Sequence, residues 1–126
     1  MTAVLRDQER ARFAYERVAR VPKSEQKDYQ NAVLALGADI LRVGLLAALA
    51  AVQRLNNAGS KQLLDDLGEA KIPGLEGNRG DNGAELARLA RALDVDTYMI
   101  ATRETLAVVA GLRRAGQATF GDEKRD

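Results

Sequence analysis

Between Ile40 and Leu55 the chain is apolar on nearly every side of a helix. Ile40, Leu41, Val43, Leu45, Leu46, Leu49 and Val52 alternate there with Gly44 and with alanines at 47, 48, 50 and 51. A helix without a polar face has to be buried among other helices. The near-apolar stretch from Val43 to Val52 falls short of the roughly 20 residues that cross a bilayer. The run therefore reads as the central helix of a bundle, with small residues that let its neighbours come close, and no membrane partner is expected.

The rest of the chain supplies helices to surround it. Its 126 residues suit one domain. Ala and Leu dominate, and both lose little freedom in a helix; β-branched residues are too scattered for a sheet-rich fold. A first helix is expected over about Ala3 to Val21, with Val4, Ala11, Ala14, Tyr15 and Val18 on its core face. Pro22 ends it, because the residue before a proline is pushed out of the helical region. A second helix begins near Ser24, a good N-cap, and carries Val33, Leu34, Leu36 and Ile40, with Gly37 as a point of bending or breakage. Asn56, Asn57 and Gly59 close the central helix.

Ser60 then caps a fourth helix to about Lys71, with Leu63, Leu64 and Leu67 inward. Pro73 to Gly83 reads as a flexible loop with glycines at 74, 77, 80 and 83. A fifth helix covers about Ala84 to Leu93. Asp96 suits the N-cap of a sixth, about Thr97 to Ala115, which Gly116 stops. Residues from about 117 to 126 form a frayed polar tail. The fold class is all-α: a compact, antiparallel-type bundle of five or six helices in a single domain, 1–126.

Two absences narrow the chemistry. There is no Cys and no His, which removes disulfides, thiolate metal sites, imidazole bases and His-dependent nucleases. Asp65 and Asp66 are adjacent and point about 100° apart on a helix, so they make no metal pair. Asp94 and Asp96 suit turn and cap roles. No catalytic residue, metal site or cofactor is expected. The first residues, with Asp7 and Glu9 among arginines and no apolar run, do not read as a signal peptide, and the expected compartment is the cytoplasm. The Pro73–Gly83 loop lacks the Gly-Lys-Ser/Thr of a phosphate loop, does not fit calcium-loop spacing, and is too short for collagen.

With 19 basic and 18 acidic residues, bulk charge does not argue for a polyanion partner, and placement has to. On the first helix Arg6, Arg10, Phe13, Arg17 and Arg20 share a stripe opposite the expected core face, with Glu9 and Glu16 at its edge. Glu16 can pair with Arg20, a contact worth only about 0.2–0.5 kcal/mol. The remaining guanidinium groups suit phosphate oxygens, and Phe13 can stack on a base or pack on a neighbour. A plain solvated face, with Phe13 in a second core contact, fits the same pattern. On the last helix Arg103, Ala107, Ala110 and Arg114 align, two arginines bracketing a shallow alanine groove, with Arg113 beside it. Cations at a helix C-terminus are favourable anyway, which accounts for Arg113 and Arg114 but poorly for Arg103.

Three runs in order resemble a known family. Arg10-Ala-Arg-Phe-Ala-Tyr-Glu-Arg-Val18, Ile40-Leu-Arg-Val-Gly-Leu-Leu-Ala-Ala-Leu-Ala50 and Tyr98-Met-Ile-Ala-Thr-Arg-Glu-Thr-Leu-Ala107 are similar to the small subunit of type III-B CRISPR effector complexes, the Cmr complex. Tyr15 stands where Trp is common, Arg42-Val43 precede Gly44 where a polar residue is frequent, and the glycine loop is longer than usual. The resemblance implies a non-catalytic helical bundle that stacks with copies of itself beside the backbone and large subunits and helps hold the guide–target RNA duplex. It places Arg10, Arg17 and Arg103 first as RNA contacts; Arg6, Arg20 and Arg114 follow from helix geometry alone. The alternative is a protein–protein scaffold whose arginines meet acidic patches on other subunits. A small enzyme lacks a general base, and a membrane-surface role lacks an apolar face on the first helix.

Overall fold

The computed structural model describes residues 3–76 and 85–120. Among them are six α-helices and no strand: α1 (Ala3–Ala19), α2 (Gln26–Val43), α3 (Leu45–Leu55), α4 (Ala58–Glu69), α5 (Leu86–Arg91) and α6 (Val95–Phe120). A 3-10 turn, Lys23–Glu25, sits between Pro22 and α2, so the second helix starts slightly later than Ser24.

The long apolar run is split where backbone geometry demands it. Gly37 does not interrupt α2; the break falls at Gly44, which adopts φ +95°, a conformation that costs glycine nothing and other residues a great deal. The Tyr98 hydroxyl accepts a hydrogen bond from Leu46 N at 2.9 Å and so satisfies a first-turn donor that has no helical partner. Leu45, Ala48, Leu49 and Val52 are buried, but Leu55 is half exposed and Ala47 faces out, so α3 is central without being enclosed on all sides.

At the next joint Asn56 turns left-handed (φ 51°). The cap of α4 is Asn57 rather than Ser60. Asn57 accepts from Ser60 N at 2.8 Å, and Asn57 N donates back to Ser60 Oγ at 3.1 Å, a reciprocal capping box.

The loop expected from Pro73 begins inside the core. Ile72 and Leu75 are buried, Leu75 N donates to Ile72 O at 2.9 Å, and Gly74 at φ +87° lies where a side chain would meet Leu93 and Thr97. Its glycines at 77, 80 and 83 lie outside the described residues, as do residues 121–126 of the expected tail. Residues 117–120 of that tail are helical: α6 passes through Gly116, which is buried, and runs on to Phe120. Its N-cap is Asp94, not Asp96. Asp94 Oδ1 accepts from Thr97 N at 2.8 Å, and these bonds hold its carboxyl below the ordinary range.

The long helix α6 lies between α1 and α2, and α2 also packs on α3 and α4. Gly37 beside Val109 and Gly44 beside Tyr98 set α2 antiparallel to α6. Gly111 beside Ala14 and Arg10 beside Glu104 set α1 parallel to it, so the expected antiparallel-type packing does not extend to this pair. Leu36, Leu49, Leu63, Leu67, Leu86 and Leu112 fill the centre.

Candidate nucleic-acid interface

On α1 the core face is rotated from its expected position. Ala14, Arg17 and Val18 are buried and Arg10 and Phe13 are half buried, whereas Ala11 and Tyr15 are exposed. Positions 10, 13, 14, 17, 18 and 21 form one helical stripe, so the arginine stripe overlaps the buried face instead of opposing it. Sequence periodicity missed this because the long stems of Arg10 and Arg17 are apolar enough to line a core edge when a carboxylate waits at the tip.

Arg17 meets such a group and is corrected from a surface RNA contact to an internal one. Its Nε donates to Asp66 Oδ1 at 2.7 Å, and its Nη2 is 4.0 Å from Asp65. Asp66 is fully buried on α4 and also accepts from the Tyr29 hydroxyl at 2.6 Å and Gln62 Nε2 at 2.8 Å. Burial pushes the Asp66 carboxyl up from its usual range; the hydrogen bonds from Tyr29, Arg17 and Gln62, then the Arg17 charge, oppose that rise. Burial, followed by the Asp66 charge and hydrogen bond, pushes the Tyr29 hydroxyl well up against the pull of Arg17, so it stays a neutral donor. Phe13 lies 5.8 Å beneath the Arg17 guanidinium and packs on the core, which settles its side chain inward. The cluster joins α1, α2 and α4.

Arg10 is largely engaged as well: Nη2 donates to Glu104 Oε1 at 2.5 Å and Nη1 lies 3.4 Å from Asp7. Arg6 reaches the same Glu104 at 3.7 Å, with two thirds of its side chain in solvent. Arg20, Arg103 and Arg114 are exposed and have no ion-pair partner among the described residues. On the outer face of α6, Arg103 and Arg114 flank Ala107, half buried, and Ala110, exposed, and stand about 16 Å apart along the axis. The structure thus keeps the α6 constellation on the surface and dissolves the α1 stripe into internal pairs plus two outlying cations.

A second surface feature escaped sequence reasoning. Leu41 and Val43 end α2, and Val95 and Met99 begin α6; all four are more than half exposed. They flank the Gly44–Tyr98 contact at one end of the bundle. The fact that both helices end at this place was not visible along the chain. Among the described residues no helix is long and apolar enough to cross a membrane, and no cluster of acidic side chains is disposed to hold a metal.

Fold and surface together define a small all-α bundle with exposed guanidinium groups on one long helix that have no ion-pair partner among the described residues. Comparison with known proteins places it further. Residues 6–119 match the family model described as CRISPR-associated protein (Cas_Cmr5), and the chain belongs to the Cmr5 family, the small-subunit family of the type III-B Cmr complex. It is 34% identical over 114 residues to the CRISPR system Cmr subunit Cmr5 of Thermus thermophilus, covering 90% of this chain and 94% of that one. Its fold is similar to the crystal structure of a Cmr5 family protein from Thermus thermophilus, with TM-score 0.75 and 32% identity over 90% of this chain and 96% of that one. Members of this family are generally non-catalytic subunits.

Proposed function

We propose that the chain is a non-catalytic subunit that stacks with its own copies beside the backbone and large subunits of a Cmr complex and helps hold the guide–target RNA duplex. The observation that carries this reading is the outer face of α6: Arg103 and Arg114, exposed and without an ion-pair partner among the described residues, on either side of an alanine saddle. Guanidinium groups fit phosphate oxygens two at a time, and such contacts position RNA without reading its sequence. Arg20 and the solvent-exposed Arg6 extend the basic surface, while Arg10 contributes only by leaving Glu104. Exposed Leu41, Val43, Val95 and Met99 at one end of the bundle leave apolar side chains that self-stacking would cover.

In the assembled complex, reversing charge with Arg103→Glu and Arg114→Glu should release target RNA at moderate salt without loss of helicity. Undiminished retention would instead favour the scaffold reading, in which these arginines face acidic protein surfaces; cross-links from α6 to protein chains and none to RNA would then be seen.

A further inference from the structure

Between the first half of α2 and the last third of α6 lies a cleft of about 320 Å³, at the small end of ligand pockets. Leu34, Leu112 and Phe120 give it an apolar wall. Lys27 and Arg113 are its charged members among the described residues, none of whose carboxylates lines it. The rest of its polar lining is mostly amide: Gln26 and Gln30, with Asn31 and Gln117 beside them. Gln26 Oε1 is sealed from water and has no hydrogen-bond partner, so that side chain gains a bond by turning to a ligand N–H.

Each property selects the occupant. Two cations, with no carboxylate beside them among the described residues, select an anion. Amide side chains carry a donor and an acceptor together, which is what the edge of an unpaired base requires. The volume admits one base and its sugar and excludes a duplex. We infer that this cleft takes a single unpaired nucleotide of a bound RNA strand, the base among the Gln26, Gln30 and Asn31 amides and its phosphate between Lys27 and Arg113. The inference rests on the RNA-holding role proposed above but uses a different surface from the Arg103–Arg114 face, and it assigns the cleft to unpaired rather than duplex RNA.

The test is photo-cross-linking of the full chain to a short single-stranded RNA carrying 4-thiouridine, with mass-spectrometric mapping and a parallel binding titration. Cross-links are expected in the peptides around 26–34 and 113–120. Leu34→Trp, which fills the cleft from a half-exposed position, and Arg113→Glu should each weaken single-strand binding by about tenfold or more, the loss of roughly one good contact. Arg103→Glu with Arg114→Glu should leave the cross-link positions in place while reducing duplex retention in the complex. Cross-links confined to the α6 outer face, or wild-type affinity in Leu34→Trp, overturn the cleft and spare the general role. Absence of any single-strand binding also overturns it. A mixture of nucleoside monophosphates binding as tightly as the oligonucleotide reassigns the cleft to free nucleotides. Equal displacement by an acidic peptide reassigns it to a protein partner.

Discussion

Replacing Arg17 by Met removes the cation from a cluster in which the anion stays behind. Asp66 is fully buried, and only 11% of the Arg17 side chain reaches solvent. Removing one member of such a pair costs about 3–5 kcal/mol, because the uncompensated charge remains in a poorly solvating interior. Tyr29 and Gln62 still donate to Asp66, which puts the expected loss near the lower end, about 3 kcal/mol. For a domain with a total stability of about 5–15 kcal/mol this is a large fraction. Replacing both partners, Arg17→Met with Asp66→Leu, removes the charge problem but leaves the Tyr29 hydroxyl buried without an acceptor, at about 1–3 kcal/mol; Gln62 is only half buried and can turn to water. Adding Tyr29→Phe removes that orphan, and the triple variant should return to within about 1 kcal/mol of the parent. Equilibrium urea unfolding followed by circular dichroism reads all three. A loss below about 1 kcal/mol for Arg17→Met would mean that the guanidinium is solvated like an ordinary surface ion pair, and the internal assignment of Arg17 would be wrong.

The same cluster sets a pH dependence. Burial holds the folded Asp66 carboxyl above its ordinary 3.8, so the folded chain binds that proton more tightly than the unfolded one. Its contribution to stability therefore rises as pH falls through the folded pKa toward 3.8 and is flat below; relative to Asp66→Asn the parent should gain stability over that window, and a relative loss in unfolding titrations would contradict the burial argument. Glycine replacements should split by position. A Cβ at Gly59 would lie 2.4 Å from the Tyr29 backbone nitrogen, so Gly59→Ala should separate α4 from α2 and lower the melting temperature. At Gly116 the nearest atoms are 3.6–3.8 Å away, so Gly116→Ala should stabilise by up to about 1 kcal/mol, the helical advantage of Ala over Gly. Thr105 is fully buried with Oγ1 unpartnered; Thr105→Val should stabilise by about 1 kcal/mol, and destabilisation in urea would show that the hydroxyl has a partner in solution.

The number of helices, most of their order and the apolar faces of helices other than α1 are largely legible in the chain, since a 3.6-residue period and cap residues act locally. What failed depended on partners distant in sequence. Arg17 looked like surface because its carboxylate lies on α4, and Glu104 occupies Arg10 from α6. Pro73–Glu76 looked like free loop, yet Ile72 and Leu75 plug the core beneath Leu93. Gly116 looked like a helix stop because glycine often ends helices, but here packing against α2 holds it within one. The exposure of Arg103 and Arg114 was legible because no other element among the described residues covers their face. The cleft between α2 and α6 was not, because its two walls are some 80 residues apart along the chain.

The claim that binding charge sits on α6 while the charge of Arg17 is spent inside the fold is tested most directly by the salt dependence of RNA retention in the assembled complex. Removing one arginine–phosphate pair should flatten the log–log slope by about one unit. Arg103→Ala with Arg114→Ala should therefore reduce it by about two for each copy in the complex, and the Arg17→Met, Tyr29→Phe, Asp66→Leu variant should leave it unchanged. An unaltered slope in the first variant, or a flattened one in the second, would contradict this assignment.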